Sequence, residues 1–95
     1  MNDENKLELL KMSWELHSQV ETAYLNNLAK QGDSEWLEKQ RLLLADMALH
    51  LLQTAMESGD IKLDRLRDNL YAILTISDQF LPTANLKIAT EKIYK

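Results

Sequence analysis

A chain of 95 residues forms one domain with one modest core, so we expect a single domain over residues 1–95. Two glycines and one proline are too few for an all-β fold, and the absence of cysteine excludes disulfides and thiolate metal sites. The net charge of −4 argues against general affinity for nucleic acid, which needs a basic surface.

The start of the chain bears on its location. The segment MNDENKLELL is acidic and polar, unlike a signal peptide, and no apolar run approaches the length that spans a membrane. We therefore expect a soluble, cytoplasmic protein without membrane insertion.

Three turn signals divide the chain into four predicted helices. Residues 32–34 (Gly-Asp-Ser) and 59–60 (Gly-Asp) each combine a glycine stop with a helix N-cap, and Pro82 supplies the third break. Short connections favour antiparallel neighbours. The predicted fold is an all-α antiparallel bundle of three long helices plus a short C-terminal helix, with bounds near 4–31, 34–58, 61–81 and 84–94.

The first and third predicted helices each carry one apolar stripe at helical spacing. The first stripe is Leu10, Trp14, His17, Val20, Tyr24 and Leu28. The third helix has Leu63, Leu66, Leu70, Ile73, Ser77 and Phe80. We expect both stripes, including Trp14 and Leu70, to form the core, with Trp36 packed on Leu25 or Leu28.

The second predicted helix is apolar over most of its circumference. Its main apolar face is Trp36, Leu37, Leu44, Met47, Ala48, Leu51 and Ala55. Its second face is Leu42, Ala45, Leu49, Leu52 and Met56. A narrow polar strip is left for solvent, made of Lys39, Asp46, His50, Gln53 and Glu57. A helix apolar on most sides is buried on most sides.

The second face is the predicted binding surface. Leu42, Leu49 and Met56 repeat every seven residues, and Leu52 lies between Leu49 and Met56, which gives a straight apolar stripe along the helix. Large exposed apolar patches usually mark contacts. We predict that these four residues bind another protein or a second copy of the chain, with a homodimer favoured. The alternative is a monomer in which the flanking helices cover both faces.

The two histidines are candidates for a metal site. In an antiparallel hairpin His17 and His50 lie at nearly the same level, and Glu21 and Asp46 each lie four residues from one of them. However, His17 falls within an apolar face, whereas His50 and Asp46 fall on the polar strip more than a quarter-turn from the main apolar face. We therefore expect the histidines not to converge, and we predict no metal, no cofactor and no catalytic residue.

The most basic segment, residues 62–67, does not predict a nucleic-acid site. Asp60, Asp64 and Asp68 interleave with its bases, and the preceding helices are too long for a helix-turn-helix motif. The sequence also lacks a glycine-rich phosphate loop and a serine-nucleophile motif.

These observations favour a non-enzymatic protein. We expect a small regulatory, adaptor or chaperone-like protein that binds another protein through an apolar helical face. A second hypothesis is an immunity protein that neutralises a toxin or bacteriocin, because the chain resembles helical bacteriocin immunity proteins in size and layout. A small helical enzyme or a nucleic-acid-binding protein is the third.

Overall fold

The fold is all-α, as predicted. The computed structural model describes residues 2–94. Within that range there is no β-strand, and no helix is long and apolar enough to cross a lipid bilayer. The helices are α1 (Asp3–Asn26), α2 (Trp36–Met56), α3 (Leu63–Ser77) and α4 (Leu86–Ile93).

α1 ends at Asn26, earlier than the predicted end near residue 31, because the following side chains bond the local backbone. The Asn27 side-chain oxygen accepts a hydrogen bond from the Ala29 N–H at 3.0 Å, and the Asp33 carboxylate accepts one from the Lys30 N–H at 2.8 Å. Such local bonds compete with helix formation. Gly32 then adopts a φ of 97°, which side-chain-bearing residues rarely do.

The later helices are also shorter than predicted. α3 stops at Ser77, and residues 78–80 form a turn instead of a further helical turn. α4 begins only after Asn85, which lies in the left-handed region with a φ of 59°. Asparagine tolerates this conformation better than most residues do.

Each helix packs antiparallel on the next one in the chain. The Lys39 ammonium lies 4.8 Å from the centre of the Tyr24 ring, and Thr54 donates a hydrogen bond to the Asn69 side chain at 2.6 Å. Tyr94 donates one to Asp68 at 2.8 Å. In the described part of the chain α1 does not contact α3. The molecule is therefore a bundle opened into one layer, with extents of 44 × 35 × 16 Å.

This open layer buries few apolar side chains. Ile76 is the one buried apolar residue within 2–94. The buried polar residues are Ser13, Gln40, Asp46, Gln53, Thr54 and Thr90. The prediction that Trp14 and Leu70 lie in the core is wrong, because Trp14 is 54% exposed and Leu70 only half-buried. No helix of the described residues covers their free sides.

The polar strip of α2 lies inside the molecule, contrary to the prediction. Asp46 and Gln53 are buried, and His50 and Glu57 are half-buried. A helical-wheel projection of the sequence could not show this orientation. In the structure α2 turns its polar strip towards α1 and α3 and leaves part of its apolar surface exposed to solvent. Its polar groups form hydrogen bonds across the interfaces with these two helices (the seams), as the Gln40 side-chain oxygen does in accepting one from Gln79.

Trp36 also packs differently from the prediction. Its indole N–H donates a hydrogen bond to Gln79 at 2.9 Å, which ties the start of α2 to the end of α3. Leu25 and Leu28, the predicted neighbours, are 63% and 84% exposed.

Candidate functional site

Two histidines and two carboxylates meet at the seam between α1 and α2. The His17 Nδ1 atom contacts the Asp46 carboxylate directly, and the His17 Nε2 atom lies 3.0 Å from a Glu21 carboxylate oxygen. The His50 Nε2 atom lies 3.5 Å from the other Asp46 oxygen, and the two imidazole rings are 4.9 Å apart. The prediction that the histidines do not converge is therefore wrong.

Two features of the sequence bring this cluster together: a small residue on α1 and a spacing of four residues on α2. Ser13 is only 1% exposed and donates its hydroxyl proton to the Leu10 carbonyl within α1, so a small, internally satisfied side chain lies at the seam. His17 follows one turn later on the same face. Asp46 and His50 are four residues apart on α2, and both reach the seam.

The two ring nitrogens of His17 face two different carboxylates. Nδ1 faces Asp46 and Nε2 faces Glu21, so the imidazole ring bridges an acid of α2 and an acid of its own helix. Asp46 is the most enclosed of the acids, with 10% of its side chain exposed. Removing His17 would leave a buried carboxylate with weak compensation.

A cleft of about 480 Å³ opens beside the cluster. Trp14 from α1 and His50 from α2 line one wall, and the far wall comes from α3. Its lining is Trp14, His50, Gln53, Thr54, Glu57, Arg65, Asp68 and Asn69. The Gln53 Nε2 donor is buried and has no hydrogen-bond partner within residues 2–94. Gln53 therefore brings a buried, unpaired donor to the wall of the cleft.

A second cavity, of about 460 Å³, lies between α3 and α4. Its lining is Tyr71, Leu74, Thr75, Asp78, Lys87, Thr90, Glu91 and Tyr94. The Tyr71 and Tyr94 rings meet edge to face, 5.8 Å apart. The hydrogen bond to Asp68, with desolvation, raises the pKa of Tyr94 above 10.0. This cavity lacks a histidine and has no convergent set of ligand atoms among the described residues.

The predicted partner-binding residues differ in their direction around α2: Leu52 lies opposite the cleft-lining His50, whereas Leu42 lies only about 80° from it. Leu42, Leu49, Leu52 and Met56 are all half-buried, so they are neither enclosed core nor fully open surface.

Helical spacing identifies the neighbouring α1 residues on that side. Met12 and Leu16 each lie about 200° around α1 from Trp14, and Leu52 lies about 200° around α2 from His50. Because Trp14 and His50 line the cleft, Met12, Leu16 and Leu52 lie on the opposite side of the layer. We define the outer face as Met12, Leu16 and Leu52 together with Leu49 and Met56, which lie three and four residues from Leu52 on α2 and border it. Leu42, the fourth predicted residue, is not part of this face.

Comparison with known proteins gives no relatives. No protein-family model matches the chain, and neither the curated proteins nor the solved structures include a significant match.

Proposed function

We propose that this chain is a non-enzymatic protein of the regulatory or adaptor class that acts by protein binding through its outer face, with a second copy of itself as the occupant. The outer face joins α1 and α2. Met12 and Leu16 are 55% and 47% exposed, and the α2 residues beside them are half-buried.

The surface area of the single chain carries this proposal. The accessible surface is 6939 Å². A compact monomer of 11.0 kDa has about 5,600 Å². The excess of roughly 1,300 Å² equals one partner's share of an obligate dimer interface, since such interfaces bury above about 2,000 Å² in total.

The overall dimensions lead to the same conclusion. The radius of gyration is 15.0 Å, whereas a compact domain of this length has about 12 Å. A single layer of helices leaves both of its broad sides open, and one more layer would enclose the outer face. A second copy supplies such a layer and presents the same apolar residues to it.

The chemistry of the outer face suits a helical partner. Leu49, Leu52 and Met56 offer apolar side chains, and the exposed Ala45 lies next to them on α2. A small residue at this position allows a helix axis to approach closely, while the leucines fill the space on either side.

Leu16→Glu tests the proposal against a matched control. Leu16 is 47% exposed, so the substitution is compatible with a folded monomer but places a charge in the proposed interface. Leu25→Glu introduces the same change at a 63% exposed leucine of α1 that lies on the Trp14 side of the helix. Sedimentation of both variants, with circular dichroism as the check on folding, measures the effect.

We expect Leu16→Glu to yield folded monomers and Leu25→Glu to keep the mass of the wild type. Leu52→Glu should also yield monomers, because Leu52 lies on the outer face of α2. If Leu25→Glu separates the chains and Leu16→Glu does not, the outer face is the wrong surface. If all three variants and the wild type have the mass of one chain, self-association is wrong.

A further inference from the structure

We propose that His17, Asp46 and His50 form a binding site for one divalent transition-metal ion, with Zn²⁺ as the best-fitting ion, and that Glu21 orients the His17 ligand. This inference does not depend on the proposed function. All of its ligands come from one chain, so the site is complete without a second copy.

The geometry of the three residues supports this assignment. One ligand atom from each of His17, Asp46 and His50 lies within 4.8 Å of the other two. Three ligands about 2.1 Å from one ion lie roughly 3.4 Å apart in tetrahedral geometry. A small rotation of His50, whose side chain is 33% exposed, closes that difference. The ion then replaces the proton between His17 and Asp46.

Glu21 has the position of an outer-shell carboxylate. Histidines that bind metal through one ring nitrogen usually donate the other N–H to a carboxylate or a carbonyl. Here the Nδ1 atom of His17 faces Asp46, and its Nε2 atom lies 3.0 Å from a Glu21 carboxylate oxygen. The same pairing would hold the His17 ring with Nδ1 towards the ion. Metal binding also brings two positive charges between two carboxylates.

The cleft gives the ion access and an open coordination position. His50 lines the cleft, so an ion bound to it borders on the same space. A water molecule there would complete a tetrahedral set of two imidazoles, one carboxylate and one water. Gln53, whose buried Nε2 has no partner within the described residues, lines the same cleft.

The ligand types select the class of ion. Imidazole nitrogen suits zinc, copper, iron and nickel, whereas magnesium and calcium prefer sites made of oxygen atoms. The chain has two histidines and no cysteine, so both of its imidazoles are used and no thiolate site competes.

Titration of the full chain with Zn²⁺, followed by calorimetry, tests the site directly. We expect one ion per chain, with a dissociation constant in the micromolar range or below. His50→Gln should weaken binding by about 100-fold or more, because it removes a ligand from a half-exposed position where the fold tolerates change. Glu21→Gln should weaken it by about 10- to 100-fold.

Glu15→Gln is the matched control, because it removes an exposed acid of α1 outside the cluster. Its affinity should equal that of the wild type. Circular dichroism shows whether each variant is folded, and the visible spectrum with Co²⁺ reports tetrahedral coordination. Lack of saturable Zn²⁺ binding would overturn the proposal, as would equal affinities for His50→Gln, Glu15→Gln and the wild type.

Discussion

Asp46 links both histidines to the α1–α2 seam. One of its carboxylate oxygens contacts His17, and the other lies 3.5 Å from His50. Among the described helices α1 contacts α2 alone, so this interface is the one that attaches α1 to the rest of the molecule. Asp46 is a buried carboxylate within it.

Asp46→Ala should lower the free energy of unfolding by about 1.5–3 kcal/mol, the usual value of hydrogen bonds to a charged group. The substitution leaves His17 without its buried acceptor. Urea denaturation followed by circular dichroism measures the change. Glu15→Ala, at an exposed acid of the same pair of helices, should stay within about 0.5 kcal/mol. Equal stabilities for the two variants would contradict the role given to Asp46.

Tyr94 provides a second test at the residue scale. Its hydroxyl donates to Asp68 at 2.8 Å, and this bond, together with desolvation, raises its pKa above 10.0. Asp68→Asn should therefore lower the pKa of Tyr94. Tyrosinate absorbance, assigned by difference from Tyr94→Phe, measures it.

The direction of the pH effect follows from the raised pKa. The Tyr94–Asp68 bond is fully present below the ordinary tyrosine pKa, and its stabilisation of α4 is lost as pH rises through the raised value. An unchanged Tyr94 titration in Asp68→Asn would show that the bond does not form in solution.

At the scale of elements, close approach at Ser13 determines how α1 and α2 pair. Ser13 is buried and makes its hydrogen bond within its own helix. The interface between α1 and α2 therefore depends on its small size and not on a hydrogen bond to α2. A larger side chain at this position would push α1 and α2 apart and would break the contact between His17 and Asp46.

Ser13→Leu should cost about 1–3 kcal/mol of stability through overpacking. Ser18→Leu is the control, because it makes the same change at an exposed position of α1, and we expect a change within about 0.5 kcal/mol. Thermal and urea unfolding measure both variants. A neutral Ser13→Leu would mean that α1 does not pack on α2 along this face.

The elements also show how far the sequence alone could lead. Gly32, Gly59 and Pro82 mark the breaks between helices, so helix number and antiparallel order were predictable. The hairpin register also placed His17 and His50 at one level. Their convergence was missed because a helical wheel assigns a polar strip to solvent, whereas here the strip faces the neighbouring helices. Only tertiary packing decides that orientation.

For the molecule as a whole, the open single layer is the property that requires explanation. Ile76 is the one buried apolar residue within 2–94, and the buried polar groups lie in the interfaces between helices. The sequence predicted an apolar surplus on α2 but not that α1 would expose Met12 and Leu16 beside it. An isolated layer with this surface is poorly stabilised, since burial of apolar area is the main favourable term in folding.

Self-association would cover this open surface, and light scattering coupled to size exclusion measures it most directly. We predict a mass of two chains, twice 11.0 kDa, at micromolar concentration, with a melting temperature that rises with protein concentration. A mass of 11.0 kDa at every concentration, with a melting temperature independent of concentration, would contradict it.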